Sequence, residues 1–166
     1  CFAGLSTDSY AAARGADGPF TGAVTHLGCP LFFREHSLEK VYPAASGAHQ
    51  IVTTECDGVK KGSGRSLCVA EGVLYYHGEG GVCAYDGSLP RNVSAAWGDT
   101  AYQNAAAGSV GGRYYISVQD ESGAWHLFCY DTRRKLWHRE DATHAIAFAA
   151  AGGDLFCLTS DGRVLA

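Results

Sequence analysis

Apolar residues along this chain gather into short runs rather than helical stripes. Four triplets stand out: Leu31-Phe32-Phe33, Leu74-Tyr75-Tyr76, Tyr114-Tyr115-Ile116 and Leu155-Phe156-Cys157. Their first residues lie 43, 40 and 41 positions apart. Small apolar residues precede each triplet, at 22–27, 67–70, 105–110 and 145–150. A turn and another strand follow: Gly80-Gly81 leads into 82–85, Ser122-Gly123 into 125–130, and Asp161-Gly162 into 163–165. Asp-Gly and Gly-Gly suit tight hairpins because both tolerate positive φ. More polar stretches at 49–55, 91–96 and 135–140 read as outer strands.

Each unit is therefore expected to be a four-stranded antiparallel meander, and a period near 40 with four strands per unit predicts β-propeller blades. The blades would span 19–56, 65–97, 103–141 and 144–166. The Ala- and Gly-rich first strand of each would converge on a central channel too narrow for bulky side chains. Tyr75, Tyr115 and Phe156, central in their triplets, are expected to be the most buried. A β-sandwich of about twelve short strands is the alternative that turn spacing alone allows. The last unit lacks an outer strand. Residues 1–18 are then either a partial blade of a larger propeller or a ring-closing segment, with residues 1–5 supplying the missing strand.

Composition agrees with an all-β chain. Among 166 residues there are 22 Gly, nine Tyr, seven Phe and three Trp, a mixture that favours turns and short strands. The length suits one domain. A formal charge of −4 gives no basic footprint, so no nucleic-acid partner is expected. No membrane span and no signal-peptide pattern is apparent, and synthesis in a cytoplasm is expected. The chain contains no Met, so residue 1 is read as following a removed segment or as lying inside a longer chain. The seven cysteines include Cys68, Cys83, Cys129 and Cys157 within apolar strand patterns. No CxxC pair occurs, and buried thiols in a reducing compartment are expected, with a disulfide or two as the alternative for a secreted protein.

The third unit carries Arg113-Tyr114-Tyr115-Ile116-Ser117, then Tyr130-Asp131-Thr132, then Leu136-Trp137-His138. It resembles a kelch-type blade, although the double glycine, Gly111-Gly112, stands before the aromatic strand. A wider likeness runs from Gly18 to Ala166. It rests on 58–63 (GVKKGS), Ser66-Leu67, Tyr75-Tyr76, 81–90 (GVCAYDGSLP) and 136–141 (LWHRED). In these the chain is similar to a family of phage and prophage proteins from Gram-positive gut bacteria. The resemblance implies a virion component of the neck or tail, with virion proteins as partners. It carries over no catalytic residues.

The remaining motifs do not converge on a reaction. The stretch 58–66 (GVKKGSGRS) resembles a phosphate loop in composition but lacks the Gly-Lys-Ser/Thr ending and the following helix, so a loop between blades is expected. Ser160-Asp161-Gly162 is similar to an Asp-box but lacks its Trp, and a hairpin turn accounts for it. Seven scattered histidines, with His26 and His36 in strand-like segments, show no metal-ligand spacing, so no metal and no cofactor are expected. The acidic residues fall mainly in turns, where short carboxylates accept backbone N–H groups. Glu140-Asp141 would point to opposite faces of a strand, unlike the facing carboxylates of a glycosidase.

Three residues are candidates for binding a partner. Trp97 lies in a connection and is expected to be an exposed anchor. Arg133 and Arg134 lie at a hairpin tip, where they are either solvated or in contact with an acidic surface. The expected function is a non-enzymatic structural or protein-binding scaffold. The alternatives are a carbohydrate- or surface-binding module and, behind it, a hydrolase with its site in the central channel.

Overall fold

The computed structural model describes residues 18–43, 45 and 49–166. The expected contribution of residues 1–17 to a blade or to ring closure lies outside the described residues. The described chain is all-β apart from one short 3-10 turn. Four antiparallel sheets follow one another, each a meander in chain order. Sheet 1 contains β1 (Gly22–His26), β2 (Cys29–Phe33), β3 (Ser37–Tyr42) and β4 (Gln50–Glu55). Sheet 2 contains β5 (Cys68–Ala70), β6 (Val73–Gly78), β7 (Gly81–Tyr85) and β8 (Arg91–Asn92), followed by the 3-10 turn Ala95–Trp97. Sheet 3 contains β9 (Tyr102–Val110), β10 (Arg113–Asp120), β11 (Trp125–Asp131) and β12 (Leu136–Asp141). Sheet 4 has three strands, β13 (Ala145–Ala151), β14 (Asp154–Thr159) and β15 (Val164–Leu165).

The first hairpin of every sheet closes on a two-residue loop: Leu27-Gly28, Glu71-Gly72, Gly111-Gly112 and Gly152-Gly153. All eight residues have positive φ, between 49° and 94°, as a hairpin turn matched to the right-handed strand twist requires. These turns set the true register of the repeat. Their second glycines are 44, 40 and 41 residues apart, which corrects the 43-residue first interval read from the triplets. Leu31, not Phe32, is therefore the counterpart of Tyr75 and Tyr115. One residue of slip in a strand exchanges its two faces, and the packing follows the corrected register. Leu31 and Phe33 face sheet 2, where the Phe33 ring lies 4.9 Å from that of Tyr76. Tyr75 in turn faces sheet 3, its ring 5.3 Å from Tyr114.

The expectation that the triplet centres are the most buried holds for Tyr75, which is 6% exposed. It fails for Tyr115 and Phe156, which are only half-buried. Tyr115 borders an open cleft of about 520 Å³ between sheets 3 and 4, while Phe156 is on the outer face of sheet 4. Leu74, Tyr76, Tyr114 and Ile116 point back at the preceding sheet and, like the forward-facing Leu31 and Phe33, are fully buried. Full burial of an apolar side chain of this size contributes about 1.5–3 kcal/mol. Small residues let the first strands approach. A Cβ on Gly108 of β9 would stand 2.4 Å from the Cβ of Phe148 on β13.

The outer strands depart most from expectation. The stretch 91–96 gives only a two-residue β8 before turning. Ser94 leaves the ladder because its backbone N–H donates to Asn92 Oδ1 (2.8 Å), while its Oγ accepts from the Val82 N–H (2.8 Å). His36, read as a strand residue, is exposed in the bend before β3.

Candidate functional site

The segment between sheets 1 and 2 is ordered by packing, and its glycines have structural reasons. A Cβ on Gly58 would lie 2.0 Å from the Arg34 carbonyl oxygen, and one on Gly64 would lie 2.4 Å from that of Thr21. Val59, Ser63 and Ser66 are fully buried. Their polar groups form one network. The His77 N–H donates to Ser66 Oγ (2.8 Å), and Ser66 Oγ–H donates to the Ser63 carbonyl (2.6 Å). Tyr114 O–H donates to the Ser66 carbonyl (2.9 Å). Ser63 Oγ accepts from the Ala105 N–H (3.2 Å) and lies 3.1 Å from His77 Nδ1. Ser63 Oγ and His77 Nδ1 thus share one buried hydrogen bond inside this network. Burial, reinforced by Lys60, pushes the His77 pKa down to about 4.

The next junction performs the same task more simply. Ser117, at the repeat position of His77, accepts directly from the Ala145 N–H (3.1 Å) and donates to the Thr143 carbonyl (2.9 Å). The Ala105 and Ala145 N–H groups, on β9 and β13, each bind one buried hydroxyl, which anchors the inner strand of the following sheet.

On the accessible side of this network a cleft of about 450 Å³ opens between the 58–66 segment, β9 and β13. Arg65 stands at its edge. The Arg65 carbonyl accepts from the Ala107 N–H (3.0 Å), and its Nη1 donates to the Ile146 carbonyl (3.1 Å), so both ends of the residue are tied. No acidic residue lines the cleft, and no carboxylate among the described residues pairs with Arg65. Trp125 and His144 form the opposite wall, their rings stacked with centroids 3.4 Å apart at 10°. Burial lowers the His144 pKa from its ordinary 6.5, keeping that imidazole neutral at pH 7. The cleft therefore presents one arginine cation beside a flat ring pair in a chain of net charge −4.

The three sequence candidates lie elsewhere and do not come together. Trp97 is not the exposed anchor expected of a connection. The 3-10 turn folds it half-buried against sheet 3, stacked on Phe128 at 4.5 Å and edge-on to Trp137 at 4.6 Å and Tyr102 at 5.2 Å. Its Nε1 is buried without an oxygen or nitrogen partner, whereas Trp137 Nε1 donates to the Val93 carbonyl (2.7 Å). Arg133 and Arg134 occupy the β11–β12 hairpin, as read. Arg133 faces Glu71 at 3.4 Å and Arg134 faces Asp131 at 4.0 Å, with both guanidinium groups well exposed.

The acidic residues serve turns. Asp120 accepts from the Ser122 and Ala124 N–H groups, Ser122 Oγ and His126 Nε2, and these bonds, Ser122 first, hold its pKa well below the usual range. Asp161 is likewise bound by Thr159 and Arg163. Among the described residues no group of three or more His, Cys, Asp or Glu is arranged to hold a metal. The six described cysteines are free, and burial raises the Cys56 thiol to about 11, which keeps it protonated and unreactive. No helix is long and apolar enough to cross a membrane among the described residues.

Sequence reading missed Arg65, Trp125 and His144 as a group. Arg65 and Ile146 are 81 residues apart, and only the stacking of sheets brings them together. The one local signal was Arg65 in a segment whose glycines demanded close packing. Compared with protein-family models and with curated proteins, the chain matches none.

Proposed function

We propose that the chain is a non-enzymatic β-propeller scaffold that binds other proteins and serves as a structural part of a phage or prophage particle. The propeller reading is supported by the sequential stacking of the sheets and by the neighbouring first strands β5, β9 and β13. The virion setting rests on the sequence likeness described above.

The binding role is carried by the outer face of sheet 4. At the corresponding repeat positions, Leu31, Phe33 and Tyr75 are covered by the sheet that follows. On sheet 4, Ala147, Ala149, Phe156, Leu158 and Val164 share one face by strand pairing, with Asp154 at its edge beside the hairpin. Leu158 is 38% and Val164 67% exposed. A contiguous apolar face of this kind marks an interaction surface. The far side of sheet 1 also exposes apolar rings, Phe20 at 52% and Phe32 at 38%. A partner that offers an apolar sheet face would repeat the junctions already formed between sheets.

Mass spectrometry of density-purified particles induced from the source strain tests the setting. The chain is expected in fixed ratio to the capsid protein. Confinement to the particle-free lysate would overturn the virion role.

A further inference from the structure

The Arg65 cleft is separate from the apolar face of sheet 4 and differs from it in chemistry. Arg65 is exposed, and its Nη1 donates to the Ile146 carbonyl (3.1 Å), which turns the guanidinium toward β13 and leaves its other N–H groups for a ligand. Among the described residues Arg34, Arg91, Arg133, Arg134 and Arg163 each pair with a carboxylate, whereas Arg65, Arg113 and Arg139 do not. Arg65 is unmatched in a cleft free of acids. An arginine fork fits the two oxygens of a carboxylate. A phosphate dianion would call for a second cation or a helix N-terminus, and the cleft lining contains neither. The methyl-bearing floor of Ala105, Ala106 and Ile146 suits the methylene stem of an acidic side chain. A sugar acid would need partners for several hydroxyls, and two polar side chains of the lining are already engaged: Asn104 donates its Nδ2–H to Gln119 (2.9 Å) and Thr21 Oγ1 donates to the Phe33 carbonyl (3.2 Å).

We infer that this cleft receives the carboxylate of a glutamate or aspartate side chain from a partner protein, with Arg65 as its counter-ion and the Trp125–His144 stack as its wall. The inference rests on the scaffold reading and names the chemistry of one partner contact.

The test is an NMR titration that follows the Trp125 indole N–H, assigned with Trp125→Phe. The probes are two blocked tripeptides, Gly-Glu-Gly and Gly-Gln-Gly, and glucuronate. A single exposed ion contact is weak, so millimolar probe is used. The Glu peptide is expected to shift the resonance several-fold more than the Gln peptide. The shift should collapse in 0.5 M salt (a Debye length of about 4 Å) and vanish in Arg65→Gln. Asn104→Asp, which brings a competing carboxylate to the cleft while keeping the backbone conformation that Asn and Asp both tolerate, should also suppress it. Equal shifts for the Glu and Gln peptides, or an unchanged response in folded Arg65→Gln, would overturn the site. A response to glucuronate alone would overturn the polypeptide ligand. If the site fails while association through the sheet 4 face persists, the scaffold reading survives; loss of that association with the Glu response intact is the opposite outcome.

Discussion

Lowering the pH should weaken this fold through His77 before its carboxylates titrate. His77 is 1% exposed and neutral, with Nδ1 hydrogen-bonded to Ser63 Oγ and its backbone N–H donating to Ser66 Oγ. Its pKa is about 4 in the folded chain against an ordinary 6.5. Between those values the unfolded chain binds the proton and the folded chain does not, so stability rises with pH across the window. The contribution is fully present above pH 6.5, declines as pH falls toward 4, and levels off below that. A tenfold change in proton affinity is worth about 1.4 kcal/mol, so the full effect is about 3 kcal/mol, with about 2 kcal/mol lost between pH 6.5 and 5. Urea unfolding followed by circular dichroism at pH 7.0, 6.0 and 5.0 measures it. With a slope near 2 kcal/mol per molar, the midpoint should fall by about 1 M over that range. His77→Gln should be less stable at pH 7 but should lose most of this pH dependence. His26 and His144, whose pKa values are also lowered by burial, titrate in both proteins and cancel in the comparison. Equal pH dependence for His77→Gln and the parent chain would refute the assignment.

Four substitutions at three positions probe the junctions and the aromatic cluster by the same unfolding assay. Gly58→Ala places a methyl 2.0 Å from the Arg34 carbonyl oxygen, where backbone must move, and about 3 kcal/mol or more should be lost, within the range for overpacking and backbone strain. Ser117→Ala removes the hydroxyl that anchors Ala145 and should cost about 1–3 kcal/mol, the penalty of a buried unpaired N–H. Trp97→Ala should cost about 2–4 kcal/mol through lost ring contacts, whereas Trp97→Phe keeps the stack on Phe128 and should cost less than half of that.

The turns Gly80-Gly81, Ser122-Gly123 and Asp161-Gly162 were the most legible part of the fold, because Gly81, Gly123 and Gly162 meet a positive-φ demand that sequence states directly, whereas the first-hairpin glycines Gly28, Gly72, Gly112 and Gly153 were not read as turns. The register of the first unit was not legible from Leu31-Phe32-Phe33, since an apolar residue at every position hides which face is inward. Phe32 looks like a core residue and lies on the uncovered side of sheet 1. Trp97 was misjudged for a related reason. Its surroundings, Gly98 and Asp99, read as an exposed connection, and nothing local shows that the Asn92–Ser94 contacts turn the chain so that Trp97 folds onto β11 and β12. The His77–Ser63 pair and the Arg65 cleft depend on which sheets adjoin, so their residues carried no shared mark in sequence. Arg133 and Arg134 were placed correctly, because Asp131 at the end of β11 accepts from both of their N–H groups and sets the turn.

The binding account is tested most directly by sedimentation velocity of the chain beside a Leu158→Lys, Val164→Lys double variant over the micromolar range. Both positions are exposed, so the variant should keep the parent circular dichroism and unfolding midpoint. Without its natural partner, the parent chain should associate as its concentration rises, sheet 4 of one copy meeting the Phe20 and Phe32 side of sheet 1 in another. The double variant should remain monomeric. A parent chain that stays monomeric throughout, or a folded variant that associates equally well, would contradict the claim that this face is an interface.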